Sequence, residues 1–217
     1  MSDSPTSRGI SRGALVLAAA TVVNLPFGTV YAFSVFLKPM EALLGIGRAE
    51  MAIVFSMASI FLTIGMLIGP ALYRRFAPVP LLLVCGAMSA SGLLVAAAAQ
   101  GIEHLLLGYG VLFGLGGGVV FIMMQQGLNQ TISPMSGLAN GYVVSLYPMG
   151  AMLGAPVFGW AIEVFGLRAT LAGLALTVLI CCAIAALLWR RAQVRMQDPG
   201  ASAADSEARH WGLFARL

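Results

Sequence analysis

Six apolar runs, each about as long as a lipid bilayer is thick, decide most of what this chain can become. They fall at about 14–37, 51–72, 80–99, 105–126, 137–162 and 169–189. A helix needs roughly 20 apolar residues to cross about 30 Å of hydrocarbon. In that medium every backbone N–H and C=O must be satisfied within the structure, so spanning runs of this kind are helices. Composition agrees: 59% of the 217 residues are hydrophobic and 9% are charged, where a soluble domain carries about 25% charged. The predicted fold is all-α and polytopic, with six transmembrane helices over residues 13–190, a polar tail at 1–12 and a second tail at 191–217. The first run exceeds the 7–15 apolar residues of a signal peptide, and more runs follow, so it reads as a retained helix. The second tail contains DPGASAADSE, a composition that suits a disordered segment.

The fifth run holds GAMLGAPVFG, residues 150–159. Gly150 and Gly154 share a helix face, where missing side chains let a neighbouring helix come close. Pro156 lacks a backbone donor and disfavours a straight continuation, and Gly159 extends the small-residue pattern. The second run carries a near copy in Gly65, Gly69 and Pro70. Both glycine pairs are separated by 85 residues (65 to 150, 69 to 154). This offset predicts an internal repeat of three helices. Alternating spans would run the second and fifth helices in opposite directions, making a 3+3 inverted repeat.

Arginine and lysine placement predicts the orientation. With the N-terminus inside, nine of the 12 basic residues fall on cytosolic segments, among them Arg74, Arg75, Arg190 and Arg191. Lys38, Arg48 and Arg168 fall outside. The bias places both termini in the cytosol, and the expected location is a cell membrane, a bacterial inner membrane in the first instance.

Several polar residues within the runs are candidate ligands. Asn24, Phe27, Tyr31 and Ser34 follow helical spacing and share a face. A phenol such as Tyr31 can donate one hydrogen bond to an anion while its ring shapes a small pocket. An interfacial aromatic belt is the alternative. Asn24 either lines a cavity or bonds backbone that Pro26 frees. Ser145 and Tyr147 on the fifth helix are site candidates, although Tyr147 precedes Pro148 and packing alone would account for it. Gln125 and Gln126 end the fourth helix as mouth or cap residues, and Asn140 begins the fifth near the interface.

What is missing narrows the function. No Asp, Glu, Lys, Arg or His lies within the six runs, and such groups normally mark proton relays or counter-charges. There is no phosphate-binding lysine loop and no HExxH, so the expectation is a protein that is not an enzyme and needs no cofactor or metal. Cys85, Cys181 and Cys182 have no metal-binding spacing. The basic residues are scattered, with no aromatic-interleaved patch, which excludes nucleic acid as a partner.

These features resemble the major facilitator superfamily over nearly the whole length, matching the N-terminal six-helix half of the usual twelve. The GxxxG-A-P-x-x-G run of the fifth helix resembles that superfamily's glycine-proline motif. The stretch GTVYAFSVFLKPM, residues 28–40, looks like the oxalate/formate antiporter and monocarboxylate transporter branch. The resemblance implies transport of a small organic anion, with Tyr31 facing the central cavity and the balancing arginine and lysine supplied by a second six-helix half. The loop GPALYRRFAPVP departs from the family pattern: Tyr73 or Arg74 stands where an acid that latches the cytosolic gate is usual. This puts ordinary gating through Arg74 and Arg75 in doubt. The expected partners are the bilayer, a small organic anion, and a second half or second copy. The half length reads as a fragment or truncated gene, its final WGLFARL resembling the start of a further helix. The rival readings are a homodimerising six-helix transporter and a non-transporting membrane scaffold.

Overall fold

The computed structural model describes residues 6–132 and 136–194. All regular structure among them is helical. α1 (Thr6–Gly28) passes through a 3₁₀ turn (Thr29–Ala32) into α2 (Phe33–Leu44), and together they supply the first span, Arg12–Leu44. α3 (Arg48–Arg75) and α4 (Pro78–Ala97) are the second and third spans. The fourth joins a short α5 (Ile102–Leu105), a π-helical stretch (Leu106–Phe113) and α6 (Gly114–Thr131). α7 (Ser136–Phe165) and α8 (Leu167–Ala192) complete the set. The expected disordered tail from residue 195 on, including WGLFARL, lies outside the described residues, as do residues 1–5 of the N-terminal tail.

The helices run past the apolar stretches that predict them. The first span covers 33 residues, about 50 Å at a rise of 1.5 Å per residue, well beyond the hydrocarbon core. Its last turns therefore extend past the apolar run and carry Lys38 and Glu41. Likewise α3 begins with Arg48 and Glu50. The apolar runs hold no ionisable residue, and the helix ends that extend beyond them do. Gln125 and Gln126 do not end the fourth helix either, since α6 continues to Thr131.

Local chemistry sets the reversals. α2 stops at Gly45, whose φ of 67° is left-handed and free of strain only without a Cβ. Two residues later the Gly47 amide donates to Glu50 Oε2 at 2.7 Å, capping α3. α4 opens on Pro78, which has no N–H to leave unsatisfied at that position. At the opposite end of the bundle, Arg12 Nε donates to the Ala192 carbonyl at 2.9 Å and ties the first span to the end of the sixth.

The fourth span is the most enclosed, and its glycine run explains how. A Cβ on Gly116 would strike Ser89 and Cys85 of the third span. One on Gly117 would meet Phe27 of the first, and one on Gly118 would strike Leu62 of the second. Successive helical residues point about 100° apart, so three bare positions let three helices approach one after another.

The same close approach occurs twice. Cβ atoms on Gly65 and Gly118 would fall on the carbonyls of Leu115 and Leu62, respectively. Cβ atoms on Gly150 and Gly28 would fall on the carbonyls of Leu25 and Tyr147. The two sets are related by 85 residues (62 to 147, 65 to 150) and by 90 (25 to 115, 28 to 118). Hence the second span lies along the fourth as the fifth lies along the first. The first and fourth spans themselves run oppositely, since Gly13 meets Ile132 and Phe27 meets Gly117. Two three-helix units of opposite direction make up the bundle.

Pro156 and Gly159 behave differently from their expected packing role. α7 continues through both Pro148 and Pro156 to Phe165. Pro156 is exposed, and a Cβ on Gly159 would meet nothing within 4 Å. Within a bundle, neighbouring groups and small local adjustments accommodate the carbonyls that such prolines leave free.

Candidate functional site

Tyr31 sits where the first span changes character. Pro26 removes one α-helical donor, Thr29 Oγ1 donates to the Pro26 carbonyl at 2.5 Å, and the chain tightens into the 3₁₀ turn that contains Tyr31. Opposite it the fourth span loosens into its π-helical stretch, a geometry common at functional sites. Aromatic rings bridge the two: Phe33 lies 4.9 Å from Tyr109, and Phe27 stacks on Phe113 at 5.7 Å, centroid to centroid.

Tyr31 is 56% exposed. Its ring meets Tyr147 edge-on at 6.2 Å. Tyr147 is buried, packs edge-on against Phe121 at 4.9 Å, and donates its hydroxyl to the Gly117 carbonyl at 3.3 Å. One tyrosine is therefore committed to the scaffold. The other keeps a hydroxyl with no hydrogen-bond partner among the described residues.

The remaining candidates are dispersed. Asn24 is fully buried; its Nδ2 donates to the Ala20 carbonyl at 2.8 Å, and its Oδ1 has no partner. The carbonyl that Pro26 deprives is Val22's, so Asn24 does not play the backbone role expected of it. Ser145 donates to the Tyr142 carbonyl at 2.7 Å within its own helix. Gln125 and Gln126 are half-buried on α6, and Asn140 carries a buried Oδ1 without a partner. Arg74 and Arg75 are exposed in the last turn of α3, where cations suit the helix dipole. Gly154 faces side chains, Thr29 and Phe158, and Gly69 faces Ile122.

Three residues to which the sequence reading gave no site role belong with these. Tyr142 Oη and Thr21 Oγ1 lie 2.7 Å apart, joining the fifth span to the first. More consequentially, Arg48 lines a cavity of about 260 Å³ together with Tyr31, Ser34, Leu37, Ala52 and Phe55. In the sequence Arg48 falls between the first two apolar runs, 17 residues from Tyr31. The tight turn at Gly45–Gly47 folds it back alongside α2, so a cation from outside the apolar runs shares a cavity with Tyr31. A larger groove, about 500 Å³, runs between the first, fifth and sixth spans and includes Pro26, Gly150, Gly154, Thr170 and Gly173.

Comparison with known proteins finds relatives of the chain. The profile of the Major Facilitator Superfamily matches residues 17–216. The chain is similar to Monocarboxylate transporter 13 of Bos taurus, 28% identical over 173 residues covering 78% of this chain and 41% of that protein. It is also similar to Monocarboxylate transporter 11 of Mus musculus, 29% identical over 160 residues, 73% of this chain and 36% of that protein. The chain thus spans about two fifths of the length of the curated relatives it matches.

Proposed function

We propose secondary transport of a small organic anion as the function of this chain, which belongs to the Major Facilitator Superfamily. The observation that carries the reading is Tyr31: an exposed phenol with a free hydroxyl, placed at a break in the first span and steadied by a buried tyrosine. Such a group can donate to a carboxylate without giving up an internal bond. The relatives named as monocarboxylate transporters support a monocarboxylate, and the resemblance of residues 28–40 to the oxalate/formate branch supports a small anion of that kind.

The six spans work as one body of a two-body transporter. A carboxylate entering an apolar site loses several kcal/mol unless it is paired. Neutral hydrogen bonds return about 0.5–1.5 kcal/mol each, so Tyr31 alone does not hold an anion in such a site. A second six-span body, from further sequence or from another copy, supplies the remaining donors and cations. Both ends of the bundle's chain face the cytosol in this reading, in a bacterial inner membrane. Cysteines placed near Gly47 and Glu103 should then label from outside, and one near Arg75 should be protected.

Reconstitution into liposomes with labelled formate, oxalate, lactate and pyruvate tests the function. The expected result is saturable exchange only when a second body with intramembrane basic residues is present. Uphill uptake by the 217-residue chain alone would overturn the two-body reading. Absence of carboxylate transport with any second body would overturn the substrate class.

A further inference from the structure

We infer that the cavity between the first and second spans is an outer anion-binding site, in which Arg48 supplies the positive charge and Tyr31 and Ser34 supply hydroxyls. The inference rests on the organic-anion reading above and deepens it, by naming the cation and the second hydroxyl that share a cavity with Tyr31.

The guanidinium is already oriented for this task. Arg48 Nε lies 3.1 Å from Glu41 Oε1, and Nη2 lies 3.3 Å from Glu41 Oε2. This side-on fork fixes the plane of the arginine and uses two of its five N–H groups. Three remain, enough for a second carboxylate. The Arg48 side chain is 67% exposed, so a solute reaches it.

The other groups at this end do not compete strongly. Glu50 is occupied by the Gly47 amide, and Glu41 by Arg48 itself. Neither the Tyr31 nor the Ser34 hydroxyl has a hydrogen-bond partner among the described residues. Leu37 and the stacked rings of Phe33 and Phe55, 5.7 Å apart, give the cavity an apolar wall. A volume of about 260 Å³ lies below the roughly 300–1,000 Å³ of drug-sized sites. Charge at one side, an apolar wall at the other and small volume together select a short monocarboxylate.

Glu41 makes the site adjustable. It aligns the arginine, yet it also neutralises much of its charge. An incoming carboxylate shares the guanidinium with Glu41, which keeps binding weak and release fast, as a site on a transport path requires.

The test uses the purified full chain in nanodiscs, with binding of pyruvate and L-lactate followed by calorimetry and lactamide as the neutral control. Pyruvate and lactate should bind and lactamide should not. Arg48→Gln should weaken carboxylate binding about tenfold or more, as expected for loss of a charge-assisted hydrogen bond. Glu41→Gln should strengthen it, because the arginine's charge is released. A purely structural role for the pair predicts that both variants weaken binding alike, and that outcome would overturn the site. Unchanged binding in a monodisperse Arg48→Gln protein would overturn it too, while leaving the anion reading intact with its cation elsewhere. Failure of the unmodified chain to bind either carboxylate also overturns the outer site, and the liposome experiment then judges transport separately.

Discussion

The two glycine contacts share a backbone geometry and differ in what surrounds it. Where the second span meets the fourth, Gly65, Gly114 and Gly118 bring main chain against main chain. Where the first meets the fifth, Gly28 and Gly150 do the same, but Tyr147 occupies the position equivalent to Leu62. That contact also carries Tyr31, the Thr21–Tyr142 hydrogen bond and the edge of the larger groove. Duplicated packing frees one copy to acquire polar groups while the other remains an apolar scaffold. The lesson is that the repeat sets the frame and side-chain divergence at one of its two contacts sets the chemistry.

The strongest challenge to this comparison is to block both contacts equally. Gly65→Leu and Gly150→Leu should each abolish monodisperse protein on size-exclusion chromatography, because the new side chain collides with a backbone carbonyl that cannot turn aside. Overpacking typically costs about 1–3 kcal/mol even where side chains can adjust. If one variant is tolerated while the other is not, the two contacts are not mechanically equivalent.

A smaller effect is expected at Gly154. An added Cβ would lie 2.9 Å from Phe158 Cε2 and 3.2 Å from Thr29 Cγ2, both side-chain atoms able to shift. Gly154→Ala should lower the melting temperature by a few degrees and leave the protein monodisperse. A collapse as severe as that of Gly150→Leu would mean that side chains there are as immobile as backbone.

Hydrogen bonds peculiar to the second contact should matter less again. Tyr147→Phe removes the donor to Gly117, and Tyr142→Phe removes the link to Thr21. Bonds of this kind in membrane bundles average about 0.6 kcal/mol. Melting shifts beyond those of Gly154→Ala would assign these tyrosines a structural weight that the comparison does not give them.

Gly159→Ala should be the mildest change. Nothing lies near the added methyl, and alanine favours a helix interior by roughly 0.5–1 kcal/mol over glycine. A stability equal to or slightly above that of the unmodified chain is the expected outcome, and a clear loss would indicate a neighbour at this face.

Span number, helical class and the three-helix repeat were legible from the residues alone. Hydrophobic length dictates crossing, and lipid leaves the backbone no partners but its own, so those conclusions need no knowledge of neighbours. The 85-residue glycine offset carried the repeat for the same reason: only small residues permit the contact, whichever helix makes it. Tyr31 also stood out, because the stretch around it resembles the first helix of a transporter branch and a phenol there can donate to an anion. That it shares a cavity with Arg48 did not, since that depends on a glycine turn reversing the chain and on helices extending past the apolar core. Periodicity likewise placed Asn24 on the face of Tyr31, yet could not say that its amide turns to the Ala20 carbonyl. Nor could it separate Gly150, pressed against Leu25, from Gly159, which faces open space. Identical residues on one helix differ here only in what lies opposite them, and that is decided when helices far apart in the chain come to rest against one another.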